Sequence, residues 1–173
     1  MAAPQGLILY NGIKALLAAN YTNTDGISPG ACQMTIAPQR DRFRKEGDIV
    51  FQYGGREVAR RRRCKVDKVD VLYDSDGNET WTLSILDRRV WWRECGEISG
   101  YYNVRRALND KTRAVDKRIL PGTEKTVREL GALCLDAMGE VGYDVAALPN
   151  DAFPEVAWDY ANPANELAGL CDQ

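Results

Sequence analysis

The sequence predicts an α+β fold that is mainly β, an antiparallel β-barrel or sandwich followed by a small helical element. Three observations carry this. Apolar and polar residues alternate at period 2 along several short segments of the first two thirds of the chain. Turn residues bound those segments, and no helical pattern separates them, which disfavours βαβ units. After Pro121-Gly122 the apolar spacing changes to three and four. The chain of 173 residues therefore reads as a β-barrel-like domain over 1–119 and a helical element over 120–173.

Leu7-Ile8-Leu9-Tyr10 reads as a strand. It meets Asn11-Gly12, the dipeptide that supplies positive φ for a tight hairpin turn, and an apolar run to Leu17 follows. Asn20 to Gly30 is rich in Asn, Thr, Asp, Gly and Pro and reads as loop. Cys32, Met34 and Ile36 alternate with Gln33 and Thr35 as a half-buried strand closed by Pro38. Ile49 to Tyr53 is a further strand ended by Gly54-Gly55. Val66 to Tyr73 and Thr80 to Leu86 flank the polar tip Asp74 to Glu79, with Trp81, Leu83 and Ile85 on one face and Thr82 and Ser84 on the other.

In the last third, Thr126 and Glu129 form a capping box. Val127, Leu130, Leu133, Cys134, Met138 and Val141 then trace one apolar helical stripe, with Gly142 as its C-cap. A loop with Pro149 and Pro154 leads to Asn162-Pro163, where proline suits the first helical turn. Leu167, Leu170 and Cys171 place a second helix that reaches or passes Gln173, so the module is expected to be truncated there.

Composition excludes several chemistries. There is no histidine, which removes the usual general base, the Ser-His-Asp triad and every histidine-based metal site. Cys32, Cys64, Cys95, Cys134 and Cys171 contain no CxxC pair and are odd in number, so reduced and mostly buried thiols are expected. The tip Asp74-Ser75-Asp76-Gly77-Asn78-Glu79 has its glycine fourth and Ile85 in twelfth place, so it reads as a turn and not as a calcium loop. No GxSxG, P-loop, GxGxxG or Ser-x-x-Lys arrangement occurs. The chain is expected to be no enzyme and to need no cofactor or metal. No apolar run is long enough for a membrane span, and the N-terminus lacks the basic and apolar regions of a secretory signal.

Charge is unevenly distributed although the net charge is only −2. Residues 40–68 hold 11 Lys+Arg against 5 Asp+Glu, whereas 119–173 hold 2 against 10. That asymmetry suggests faces with different neighbours, or simply solvated charge. Arg60-Arg61-Arg62-Arg63 invites three readings: a nucleic-acid contact, a subunit interface, or a solvated strand face carrying two arginines on each side. In Leu86-Asp87-Arg88-Arg89-Val90-Trp91-Trp92-Arg93, the indoles and guanidinium groups suit an interface hot spot. Read as a strand, the segment could instead bury one tryptophan and cover the other with arginine stems.

The stretch Ile85 to Trp92, continuing through Gly96-Glu97-Ile98-Ser99-Gly100-Tyr101-Tyr102-Asn103, resembles a segment of tailed-bacteriophage tail proteins. In those proteins an Asp-Arg-Arg-aromatic run precedes Gly-x-Ile-x-Gly-x-Tyr-Asn. Thr126-Val127-Arg128-Glu129-Leu130 and Asn162-Pro163-Ala164 with Leu167 and Leu170 are similar to the helical insertion of the same proteins. Over roughly residues 30–173 the chain thus resembles the N-terminal part of the tail hub (baseplate or tail-tip hub) family, although Val90 stands where a tryptophan would follow the arginines. The resemblance implies a virion protein made in the host cytoplasm, forming a trimeric ring that links the tail tube to distal tail, baseplate, tip or spike proteins, with DNA passing transiently through it. Arg60, Arg61, Arg62, Arg63, Arg88, Arg89, Trp91, Trp92, Tyr101 and Tyr102 are the candidate subunit-interface residues. The alternative function is a small nucleic-acid-binding module using Arg60 to Arg63.

Overall fold

The computed structural model describes residues 6–39, 44–107 and 115–172. They fall into two compact units, Met1–Val90 and Trp91–Gln173. β7, which follows residue 97, pairs with β10 of the last third and so belongs to the second unit.

The first unit is a single antiparallel sheet. Its strands are β1 (Gly6–Tyr10), β2 (Leu16–Thr22), β3 (Ala31–Ile36), β4 (Glu46–Tyr53), β5 (Arg56–Tyr73) and β6 (Glu79–Leu86). The spatial order β1-β4-β5-β6-β3-β2 curls into a nearly closed barrel. Its core is the inward set of the alternating segments: Cys32, Met34 and Ile36 from β3, Ile49 from β4, Cys64 from β5, and Leu83 and Ile85 from β6, all fully buried. Each such aliphatic side chain contributes about 1.5–3 kcal/mol by leaving water, and the barrel rests mainly on this set. The hairpin β5–β6 closes through Asp74, whose Oδ1 accepts from the backbone N–H of Asp76 and Asn78 at 2.9 and 2.8 Å. These bonds make the tip a turn built on one aspartate.

Two local expectations fail for tertiary reasons. Asn11-Gly12 does form a turn, yet β1 and β2 do not pair across it. β1 pairs with β4 (Ile8↔Phe51) and β2 with β3 (Tyr21↔Cys32), so the turn carries the chain from one sheet edge to the other. The segment Asn20 to Gly30 is loop only after Thr22, since its first residues complete β2 against β3.

Strand β5 carries three irregularities. Its register shifts between Phe51 and Gln52 and between Gly47 and Ile49 on the β4 side, and between Val66 and Lys68 on the β6 side. Each shift inserts an extra residue into β5, and such bulges bend and twist a strand. An 18-residue strand can thereby follow the curvature of the barrel and continue into the hairpin.

The second unit packs two helices on a two-stranded ribbon. Strand β7 (Ile98–Tyr102) pairs with β10 (Val156–Ala161), and β8 (Arg105–Ala107) pairs with β9 (Val115–Ile119). Helix α2 (Val127–Ala137) starts at the capping box foreseen from Thr126 and Glu129. It ends earlier than its apolar stripe suggests. Gly139 takes a positive φ of 70°, and the N–H groups of Gly139 and Glu140 bond back to Asp136 and Leu135, the closure of a Schellman turn. Val141 therefore lies outside the helix and is 87% exposed, and Gly142 caps nothing. Helix α3 (Pro163–Cys171) starts at Asn162, whose Oδ1 accepts from the N–H of Ala164 and Asn165, and it ends at Asp172. Val127, Leu130, Cys134, Trp158 and Leu170 form the core of this unit. The loop expected before Asn162 contains β10, a strand whose one fully inward residue, Trp158, is too few to show alternation in sequence.

Asn103 ties three segments of the second unit together. It is fully buried in the left-handed region (φ 56°), and its Nδ2 donates to the carbonyls of Lys125 (2.7 Å) and Pro154 (2.6 Å). Its Oδ1 accepts from Lys125 N–H at 2.8 Å, and its own N–H donates to Thr123 O at 2.8 Å. Asparagine tolerates that backbone conformation better than most residues, and its amide satisfies donor and acceptor at once. Asn103→Ala would strand two carbonyls and an N–H. A loss of about 3 kcal/mol is expected in the unfolding free energy of the second unit, measured by denaturant titration; a loss below about 1 kcal/mol contradicts this role.

Candidate functional site

The four arginines of β5 do not form a uniform face. Arg61 pairs in register with the buried Ile49 and so shares its face, beside Tyr21, whereas Arg60 pairs with Val50 on the other side. The bulge falls next, and Arg63 takes a φ of 55°, so strand alternation breaks inside the run. Arg60 is clamped by Asp48 Oδ2 (2.9 Å) and Glu57 Oε2 (2.7 Å), which raise its pKa further, the Glu57 bond being the larger cause. Arg63 donates its N–H toward Asp48 at 3.4 Å. All four arginines are exposed, but two carboxylates already neutralise Arg60, so this is not a bare basic patch.

The Asp-Arg-Arg-Val-Trp-Trp segment is not a strand. Val90–Glu94 forms a short helix, α1, because Asp87 accepts at its start: Oδ1 from Arg89 N–H at 3.0 Å and its carbonyl from Val90 N–H at 3.1 Å. Asp87 is itself buried at the end of β6. Its Oδ2 accepts from Gly30 N–H (2.9 Å), from the Tyr21 hydroxyl (3.1 Å) and from Arg89 Nη2 (2.8 Å). Arg89 also donates to the carbonyls of Thr24 (2.7 Å) and Gly26 (2.9 Å), clipping the loop after β2 to the barrel end. Burial alone would push the Asp87 carboxyl up. The Arg89 side chain, the Arg89 and Gly30 N–H groups and the Arg89 charge together hold it below the usual carboxylate value. Gly30 is required here, since a Cβ would sit 2.6 Å from the Tyr21 hydroxyl and 2.9 Å from Asp87 Oδ2.

The remaining candidates separate by exposure. Arg88 is exposed, whereas Arg89 belongs to the clip. Trp91 and Trp92 are half-buried. The Trp92 indole N–H donates to the buried Glu140 at 2.7 Å, and its carbonyl accepts from Asn162 Nδ2 at 3.1 Å, so it braces the start of α3. Tyr102 packs edge-on against Trp158 with ring centroids 5.6 Å apart, on the core face of the ribbon. Tyr101, one residue earlier, points outward and is 63% exposed. Sequence reasoning missed Tyr160, 73% exposed on β10, because it lies in a segment read as loop.

Groups suited to covalent or acid–base work are few. Burial pushes the thiols of Cys32 and Cys134 up to about 12 and that of Cys64 to about 11, so none is a thiolate at neutral pH. Among the described residues no group of three or more Asp, Glu or Cys side chains is placed to hold a metal ion. A cleft of about 580 Å³ lies where β1 and β2 approach without hydrogen bonding, lined by Leu7, Ile8, Leu16, Leu17, Phe51 and Val58 among others. Its lining is mostly apolar, with Gln52 and Tyr53 among it, and holds no charged group. No described helix is long and apolar enough to cross a membrane.

Among solved structures, the tail protein from Neisseria meningitidis MC58 superposes over 99% of this chain with a TM-score of 0.56 at 10% sequence identity. The two share a fold. The 43 kDa tail protein of prophage MuSo2 from Shewanella oneidensis aligns over 97% with a TM-score of 0.49 and 17% identity. The chain spans about half the length of these proteins, 45% and 47% respectively. No family model matches the sequence. No curated protein matches it either.

Two outcomes follow from this geometry. Folding lowers the Asp87 pKa, so the clip stabilises the first unit above the ordinary value of 3.8 and that stabilisation is lost as pH falls through the folded value. Asp87→Asn leaves Arg89 unpaired and is expected to cost about 3 kcal/mol in urea unfolding at neutral pH. It should also flatten the acid limb of the stability profile, whereas an unchanged acid limb would show that Asp87 is not its source. A maleimide at neutral pH should label the exposed Cys171 first, with Cys32, Cys64 and Cys134 reacting only on unfolding. Mass spectrometry of the native and unfolded protein distinguishes the two patterns.

Proposed function

We propose that the chain is a structural component of a phage tail, the N-terminal part of a hub that links the tail tube to baseplate or tail-tip proteins and assembles as a trimeric ring. The observation that carries the reading is the fold shared with the Neisseria tail protein over nearly the whole chain. The Asp87-Arg88-Arg89 and Ile98-to-Asn103 segments, which carry the sequence resemblance, are the segments that pin the ends of the two units. In this reading the protein works through its surfaces and turns over no substrate.

Several features suit self-assembly. β1 and β2 are the two edges of the barrel sheet, with unpaired backbone groups and exposed Leu7 and Leu17 beside the apolar cleft. The basic stretch 40–68 and the acidic stretch 119–173 give each copy complementary charge, as a head-to-tail ring contact requires. The nucleic-acid alternative is weakened by the clamping of Arg60 and the broken alternation after it.

Light scattering beside a salt-titrated DNA shift assay tests the proposal. A trimer or larger ring that leaves DNA unshifted is expected. A monomer that shifts DNA, with affinity falling steeply as salt rises, overturns it in favour of the nucleic-acid module.

A further inference from the structure

The outer face of the β7–β10 ribbon is built unlike the rest of the second unit. Trp158 and Tyr102 turn inward, so Tyr101 on β7 and Ala157 and Asp159 on β10 turn outward. After Trp158 the ladder breaks, and Tyr160 is forced to a φ of 50°, a strained conformation for a bulky side chain. Its N–H donates to Ser99 Oγ at 3.1 Å, which fixes this backbone next to β7. The phenol gains nothing from the arrangement within the described residues. Neither the Tyr160 nor the Tyr101 hydroxyl makes a hydrogen bond there, and Asp159 makes neither a hydrogen bond nor an ion pair. Two exposed tyrosines and an exposed carboxylate on one ribbon match the needs of an arginine, whose planar guanidinium stacks on a ring while bonding an acid.

The matching cation lies on the other unit of the same polypeptide. At the β5 bulge, Arg62 is exposed and its guanidinium makes no hydrogen bond or ion pair among the described residues, in contrast to that of Arg60. Arg63 beside it shares the positive φ that a bulge imposes. We propose that the Tyr101–Asp159–Tyr160 face is the docking site for the Arg62 bulge of a second copy of this chain. The choice of a second copy rests on charge complementarity, since β10 with Asp159 belongs to the stretch with 10 acidic and 2 basic residues and the bulge to the stretch with 11 basic and 5 acidic. Because bulge and ribbon are different surfaces, the contact is heterologous and can close a ring. The inference rests on the self-assembly named above and assigns its contact.

Sedimentation equilibrium of the full chain reads the result. Asp159→Arg and Arg62→Asp should each weaken self-association by about tenfold or more, and the double variant should recover most of the loss. Tyr160→Gly removes the ring and relieves the strained backbone, so association should weaken while the melting temperature holds or rises. If Tyr160→Gly lowers the melting temperature and leaves association unchanged, the tyrosine serves the fold and the docking site is overturned. An oligomer equally insensitive to both single charge reversals also overturns the site while leaving self-assembly standing. A wild-type chain that stays monomeric at every concentration overturns both.

Discussion

Asp87 is the acceptor on which the first unit depends. It ends β6, which lies between β5 and β3 in the sheet, so whatever grips this residue grips the middle of the barrel wall. One carboxylate satisfies Gly30, Tyr21 and three groups of Arg89, and the Arg89 guanidinium carries the linkage on to the loop at Thr24 and Gly26. A lone charge at that depth would oppose folding. The ring of donors makes ionisation favourable despite burial, which is why the group titrates low although desolvation is its largest single influence.

The second unit solves the same problem without charge. Asn103 occupies a backbone conformation that favours asparagine, and a neutral amide joins the turn before α2 to the approach to β10. The capping box at Thr126 and Glu129 and the Trp92–Glu140 bond then orient the helices on the ribbon. In both units one buried polar side chain joins several backbone segments.

What could be read from sequence was what is decided locally. The alternation of Cys32, Met34 and Ile36, the aspartate turn at Asp74, the capping box and the Asn162-Pro163 start each need only neighbouring residues, and all stand in the structure. Partner choice does not reduce to neighbours. Asn11-Gly12 is as good a turn between sheet edges as within a hairpin, and only β4 and β3 decide which. The bulges of β5 leave no periodic signal, so the even division of Arg60 to Arg63 between two faces could not survive them. The strand reading of Trp91 and Trp92 fails because Asp87, held at the barrel end by Gly30 and Tyr21, accepts from Arg89 and Val90 and starts a helical turn. The interface candidates fared unevenly for this reason: Arg89 and Trp92 are engaged inside their own units, while Tyr101 remains turned outward.

The closeness of Gly30 to Asp87 has an evolutionary corollary. Adding even a methyl group at position 30 would intrude on both the carboxylate and the phenol that share the space, while shortening residue 87 would leave the glycine amide without its acceptor. Neither position can drift alone. Among descendants of a common ancestor the two should therefore be kept or exchanged as a pair, a covariation across 57 residues of chain that reports this contact without any coordinates.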